Sequence, residues 1–210
     1  MRGGFDFEAT LVTAGLGPIA GTDEAGRGAC AGPLVAAAVI LDPDRPIDGL
    51  GDSKTLSPGK RERLYDQITG CAVWAVAEVS AAECDALGMH EADIQGLRRA
   101  VSKLSQRPGF VLSDGFAVDG LGVPSLGVWK GDKVAACVSA ASIVAKVTRD
   151  RLMVELAKRY PNYGFEVHKG YVTKLHSARL AQFGPSVEHR MSYANVRAAR
   201  AHLSPVELCP

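Results

Sequence analysis

Four carboxylates are the residues whose type and spacing suggest chemistry. Asp23 and Glu24 are adjacent in "GTDEAGRGACAGP" (21–33), Asp114 sits in "VLSDG" and Asp132 in "VWKGD". Asp23, Asp114 and Asp132 each end an apolar, strand-like run and meet glycine nearby. Strand ends on one side of a sheet converge in space although they are far apart in sequence. Four carboxylates crowded there would repel one another, and at neutral pH they need either raised pKa values or bound cations. Oxygen donors without a Cys or His partner suit Mg²⁺ or Mn²⁺ rather than zinc. Two such ions ~3.5–4 Å apart can clamp a phosphodiester, one activating water and the other steadying the leaving oxygen. Two considerations weigh against this. Asp before Gly is ordinary turn chemistry, so no single acid carries the reading. Neighbours on a regular strand also point to opposite faces, so Glu24 joins Asp23 only if the strand breaks at residue 24; otherwise it supports the site from behind.

The glycines that follow sharpen the question. "GRG" (Gly26, Arg27, Gly28) is no Walker loop, because no G-K-[ST] follows, and its spacing does not fit a dinucleotide fingerprint. What remains is a loop whose backbone can approach a ligand closely where Cβ atoms are missing, with Arg27 as a fixed charge.

The elements that must position these residues can be read from periodicity. Residues 18–25 read as a strand and 32–41 as a second, continuously apolar and therefore buried one, with a Pro/Gly/Asp-rich loop over 42–54. Ser57 followed by Pro58 predicts a helix start. A third strand is expected over 72–80, and the first strands should form an antiparallel meander. Ile94, Leu97, Val101 and Leu104 share one face of a helix over 91–106. Strands at 109–115 and 124–132 follow, then a long helix over 134–160 that "PNYG" ends, and helices around 170–183 and 193–203. The expected fold is α/β, a mixed sheet of five strands flanked by helices. The organisation expected is an N-terminal tail (1–17), a catalytic core (18–160) and a basic helical region (161–210) packed on it as one structural unit.

The 210 residues, 47% hydrophobic, suffice for one full core. The formal net charge of +1 conceals a division. Residues 1–144 carry 13 basic and 18 acidic side chains, whereas residues 145–202 carry 11 basic and 4 acidic. Such a chain could hold cations in one place and a polyanion in another, although uneven solvated helix faces would give the same count. The five cysteines, Cys30, Cys71, Cys84, Cys137 and Cys209, show no C-x-x-C pair, so neither a zinc cage nor a disulfide framework is indicated. No run approaches a membrane span and no export signal is visible at the start, which makes a cytoplasmic location the expectation.

Taken in order, "GTDEAGRGACAGPLVAAAVIL", "GDSKTLSPGKRERL", "LSDG", "WKGD", "SAASIVAKVTRDRLM", "YPNYGFEVHKGYVTKLH" and "FGPSVEHRMSY" resemble the bacterial ribonuclease HII family over roughly residues 18–195. The resemblance implies an RNase H-like fold, a mixed five-stranded sheet flanked by helices with a C-terminal helical extension, and endonucleolytic cutting of RNA in RNA–DNA hybrids and 5′ of single ribonucleotides embedded in duplex DNA. It implies two Mg²⁺ or Mn²⁺ ions, 3′-hydroxyl and 5′-phosphate ends, and a role in removing ribonucleotides from DNA. The family's four acids fall on Asp23, Glu24, Asp114 and Asp132. Its ribose-reading loop falls on Gly26, Arg27 and Gly28, and the tyrosine expected to stack at the RNA–DNA junction on Tyr171. A 2′-hydroxyl is what distinguishes RNA from DNA at one position, so such a reader is chemically required. Ser53, Lys54, Ser142 and Lys146 look like phosphate contacts, while Asp150 is expected to pair within "RDR" and His168 to pack or meet a phosphate. Met191, Ser113 and Asp93 depart from the family's pattern without touching the four acids. The expected partners are RNA–DNA hybrids and ribonucleotide-containing duplexes, on which a monomer would act, with no membrane; protein partners are left open. A binding module that kept the fold without catalysis would gain nothing from four clustered acids. A related nuclease acting on another substrate is disfavoured by "GRG" together with Tyr171.

Overall fold

The structure, a computed structural model, describes residues 5–51 and 53–201. Cys209, Glu207 and the rest of the "LSPVELCP" ending lie outside the described residues, as does Asp52. Fourteen elements follow one another. They are α1 (Phe5–Thr13), β1 (Ile19–Ala25), β2 (Leu34–Ile40), α2 (Pro58–Cys71), β3 (Val73–Val79), α3 (Ala81–Leu87) and α4 (Met89–Ser102), then β4 (Phe110–Asp114), β5 (Ser125–Val128), α5 (Gly131–Val134), α6 (Ala136–Arg159), α7 (Phe165–His168), α8 (Lys174–Phe183) and α9 (Ala194–Ala201). The strands form one mixed sheet in the order β3-β2-β1-β4-β5. β1 and β2 are antiparallel, while β1, β4 and β5 run parallel.

The chain divides into two compact units. The first comprises residues up to Ala25, Val35–Glu78 and Asp93–Thr148. Its sheet is covered on both faces, and β2 shows how: Ala37 and Val39 pack with Leu64 and Ile68 of α2 and with Ala140, Ala141, Ile143 and Val144 of α6. Ala36, Ala38 and Ile40, one residue out of step, pack instead with Leu97, Ala100 and Val101 of α4. Period-two alternation in an all-apolar strand thus serves two helical layers. Ser57 caps α2 by accepting the Lys60 N–H at 3.4 Å, as Ser57–Pro58 predicts.

Where a tail is expected at the start of the chain, α1 forms. Phe7 and Leu11, four residues apart, pack around Ile19, Leu112, Cys137 and Val138. Glu8 Oε1 accepts the Cys137 N–H at 2.8 Å, satisfying one of the donors left over at the start of α6.

The second unit comprises Gly26–Leu34, Val79–Ala92 and Arg149 onward. Met153, Leu156, Tyr163 and Phe165 form one apolar cluster, Leu34, Val79, Cys84 and Ala92 another, and Cys30, Leu180 and Val196 a third. No helix among the described residues is long and apolar enough to cross a membrane. Cys30, Cys71, Cys84 and Cys137 are free thiols.

Candidate active site

Asp23 and Asp114 meet through strand register. β1 and β4 are parallel and pair Thr22 with Ser113, so the next residue on each, Asp23 and Asp114, stand side by side at the carboxyl ends of the strands. In open α/β sheets that is where ligands are bound. Asp23 is 9% exposed. Its carboxyl pKa is held well above the usual range, chiefly by burial and then by the negative charges of Glu24 and Asp114; the Glu24 N–H and the Lys54 charge oppose the rise. The Glu24 N–H donates to Asp23 Oδ1 at 2.7 Å.

Asp132 reaches the same end of the sheet by another route. The strand expected over 124–132 stops at Val128, and Asp132 lies in the first turn of the short helix α5, not at a strand end. Lys130 adopts a left-handed conformation (φ 56°) that turns the chain into the helix. The Gly131 N–H donates to Asp114 Oδ1 at 2.8 Å, which ties the start of α5 to the end of β4; Asp132, the next residue in the chain, is buried. A Cβ at 131 would lie 3.1 Å from Val138 Cγ1, a tight contact, and at ordinary contact distance from Asp114.

Glu24 is the exception. β1 does not break there: Glu24 pairs with Ala36 and Ala25 with Val35 in unbroken register, and the turn comes at Gly26 (φ 94°). Alternation therefore sends Glu24 to the face opposite Asp23.

The donor set nonetheless fits a hard divalent cation. Among the described residues no group of three or more His, Cys, Asp or Glu side chains forms a set that could hold a metal ion as it stands. Yet Asp23, Asp114 and Asp132 supply only oxygen, and the first of them is desolvated under two like charges, a state that a bound cation relieves.

The remaining expected site residues fall in both units. In the first, Ser142 Oγ on α6 donates to Ser53 Oγ at 2.6 Å, and both serines are buried. Ser139 Oγ donates to the Gly51 carbonyl at 2.9 Å, so the "DSK" loop is fastened to α6 at two points. This pair serves the loop's position in the protein as it stands, and Lys54 on that loop is exposed. Lys146 is half-buried on α6.

In the second unit, Arg27 and Gly28 are exposed while Gly26 is buried. The Arg27 carbonyl accepts from Tyr193 Oη at 2.6 Å and from Arg190 Nη1 at 3.2 Å. Tyr171 is half-buried, with the Arg149 guanidinium 5.4 Å from its ring centre. Asp150 acts electrostatically on Arg149, within the "RDR" run. His168 is buried and packs on His176, the rings 4.1 Å apart. Arg149, Arg190 and Tyr193 are the residues sequence reasoning passed over. One signal was available for Arg149: it sits between Ala145 and Met153 on the buried stripe of α6, a place where a charge needs a reason.

A family model described as Ribonuclease HII matches residues 20–196. A protein named Ribonuclease HII from Cutibacterium acnes is 64% identical over 203 residues, covering 94% of this chain and 98% of that protein. One of the same name from a Nocardioides species is 58% identical, covering 97% and 85%. Among solved structures, the ribonuclease H2 from Pyrococcus horikoshii superposes with a TM-score of 0.73 at 28% identity, covering 87% of this chain and 97% of that one. Bst-RNase HIII in complex with Mn²⁺ shares the fold with a TM-score of 0.74 at 20% identity, covering 87% of this chain and 69% of that one. A family model that matches residues 20–196 and relatives 58–64% identical over nearly the whole chain lead to one conclusion: this chain belongs to the ribonuclease HII family, metal-dependent endonucleases that act on RNA–DNA hybrids.

Proposed function

We propose that this protein hydrolyses the RNA strand of RNA–DNA hybrids and cuts DNA duplexes 5′ of single embedded ribonucleotides, leaving 3′-hydroxyl and 5′-phosphate ends, in the removal of ribonucleotides from DNA. The observation that carries the reading is the Asp23–Asp114 pair: adjacent on parallel strands, with Asp23 buried under like charge.

Asp23, Glu24, Asp114 and Asp132 would hold two divalent ions, Mg²⁺ or Mn²⁺. Bound there, such ions supply charge neutralisation at the phosphoryl group and a water acidic enough to be deprotonated near neutral pH. The protein's own part is positioning. Gly131 fixes the direction of Asp114, and the Glu24 N–H fixes Asp23 Oδ1. Glu24 follows Asp23 on an unbroken strand, and its charge is the largest charge effect on Asp23. Ser53, Lys54, Ser142 and Lys146 are proposed to meet the phosphate backbone, with Lys54 and Lys146 supplying the charge. Gly26, Arg27 and Gly28 are proposed to read the 2′-hydroxyl, and Tyr171 to stack at the RNA–DNA junction. A monomer in the cytoplasm suits a substrate of this kind.

The test is cleavage-site mapping on a duplex with one embedded ribonucleotide, with Mg²⁺ and with Mn²⁺. A single cut 5′ of the ribonucleotide is expected, and cuts elsewhere or none would overturn the reading. Tyr171→Ala should lower kcat/KM on that duplex more than on a long hybrid. Equal losses on both would remove Tyr171 from the junction.

A further inference from the structure

A backbone that reads a single hydroxyl must be held still, and the second unit contains an unusual device for this. Arg149, on α6, is fully buried. Its Nε donates to the Pro33 carbonyl at 2.8 Å, its Nη2 to Ala31 at 3.1 Å and its Nη1 to Lys169 at 2.9 Å. The face of the same guanidinium lies 5.4 Å from the Tyr171 ring centre. One rigid planar group therefore touches two loops, 26–33 and 169–171, and the aromatic ring at the end of the second. The loops are also joined directly by the Cys30 N–H on the Gly170 carbonyl at 3.0 Å. A Cβ on Gly26 would overlap Arg149 Nε, and one on Gly170 would overlap the Ala31 carbonyl, so both glycines are cut to fit the clamp.

Burial makes this choice costly. Removing a guanidinium from water carries a desolvation penalty that neutral side chains avoid. Burial also lowers the Arg149 pKa to about 10, which leaves it charged at neutral pH. An apolar residue between Ala145 and Met153 would serve packing alone. What only arginine offers is a fixed fork of donors with a flat face, which holds three carbonyls and a ring at set distances.

We propose that Arg149 is a positioning residue: it sets the spacing between the Gly26–Pro33 loop and the Tyr171 ring, and that spacing determines how well a lone ribonucleotide is accepted. The inference rests on the reading that Gly26–Gly28 and Tyr171 meet the ribonucleotide. A long hybrid offers many registers for cleavage and is less sensitive to the spacing than a duplex with one ribonucleotide.

The experiment is a double-mutant cycle of Arg149→Lys and Tyr171→Ala, read as the ratio of kcat/KM on a single-ribonucleotide duplex to that on a long hybrid. Both rates come from one preparation, so any inactive fraction cancels. Lysine keeps the charge and loses the fork. Arg149→Lys should lower the ratio by about tenfold, since a misplacement of about 1 Å can cost on the order of 100-fold. Tyr171→Ala should lower it too, and the double variant should be no more selective a loss than Tyr171→Ala alone. Equal losses on both substrates for Arg149→Lys, with Tyr171→Ala still selective, would overturn the positioning role while leaving the junction reading intact. Additive losses in the double variant would do the same. A non-selective Tyr171→Ala would overturn the junction reading, and this inference with it. Should Arg149→Lys not fold, Arg149→Gln, which keeps two donors without the charge, takes its place in the same cycle.

Discussion

The two aspartates at the parallel strand ends carry opposite duties, and substitutions should separate them. Asp23 is buried with its carboxyl under the charges of Glu24 and Asp114, so in the metal-free protein its ionised form is a burden on the fold. Asp23→Asn keeps the shape and removes the charge. Its melting temperature without divalent metal should therefore rise, while cleavage is lost. A lower melting temperature would show that the carboxylate is held by attractions stronger than its desolvation. Asp114 differs: it is half-buried and its Oδ1 is occupied by the Gly131 N–H. Asp114→Asn can still accept that hydrogen bond through its amide oxygen, so α5 should stay in place and substrate binding should persist. The rate should fall by on the order of 1,000-fold, because charge stabilisation at a phosphoryl centre is worth several kcal/mol. Full activity in Asp114→Asn, measured on a duplex with one ribonucleotide, would sink the assignment of Asp114 to the metal site.

The elements work because they come very close to one another, and α6 and β1 do so most closely at Gly21. A Cβ there would overlap the Cys137 carbonyl carbon and the Val138 nitrogen, backbone atoms that cannot swing aside. Gly21 lies two residues before Asp23 on the same face of β1. Gly21→Ala should cost about 1–3 kcal/mol, the usual penalty of overpacking, and should lower activity by shifting Asp23. Unchanged melting and unchanged kcat would mean that α6 is free to move away from the sheet. Much at this scale was legible in the sequence. The five strands, the Ser57–Pro58 cap and the long helix from the 130s to Arg159 follow from apolar periodicity and turn residues, which are local signals. Four short helices, α1, α3, α5 and α7, were not legible, and α1 and α5 show the physical reasons. α1 is a short helix that owes its place to the packing of Phe7 and Leu11 and to the Glu8 contact with α6, none of which its own sequence displays. "GVWKGD" reads as strand through Val128 and Trp129, and the left-handed turn at Lys130 that makes Asp132 helical is not a residue-type signal, since lysine has no preference for it.

At the scale of the whole molecule, the charge division seen in the sequence suggested a polyanion site, yet two arginines of the basic segment turn out to be structural. Arg149 and Arg190 are fully buried and spend their donors on backbone carbonyls of residues 27–33 and 169. Three of the histidines are likewise interior. His176 Nε2 and His189 Nε2 are 3.1 Å apart, the Ser186 N–H donates to His189 Nδ1 at 3.0 Å, and His176 Nδ1 lies 3.0 Å from the Tyr171 carbonyl. These contacts are all satisfied with both rings neutral: His189 donates to His176, and His176 donates to Tyr171. Protonating His189 would oppose the Ser186 N–H, and protonating His176 would set two donors head to head. Burial, then the neighbouring histidines, lowers the His189 pKa to about 4, and His176 is lowered in the same direction. The unfolded chain, with an ordinary histidine pKa near 6.5, therefore binds more protons than the folded one in between. Stability from His189 is fully present above about pH 6.5 and is lost as pH falls from there toward about 4, at roughly 1.4 kcal/mol per pH unit. Thermal melts between pH 7 and pH 5 should show this decline. His189→Gln, which can still accept from Ser186 and donate to His176, should melt lower at pH 7 but with a flatter dependence on pH. A slope equal to that of the parent protein would place the acid sensitivity in some other group and leave the histidine cluster as packing alone.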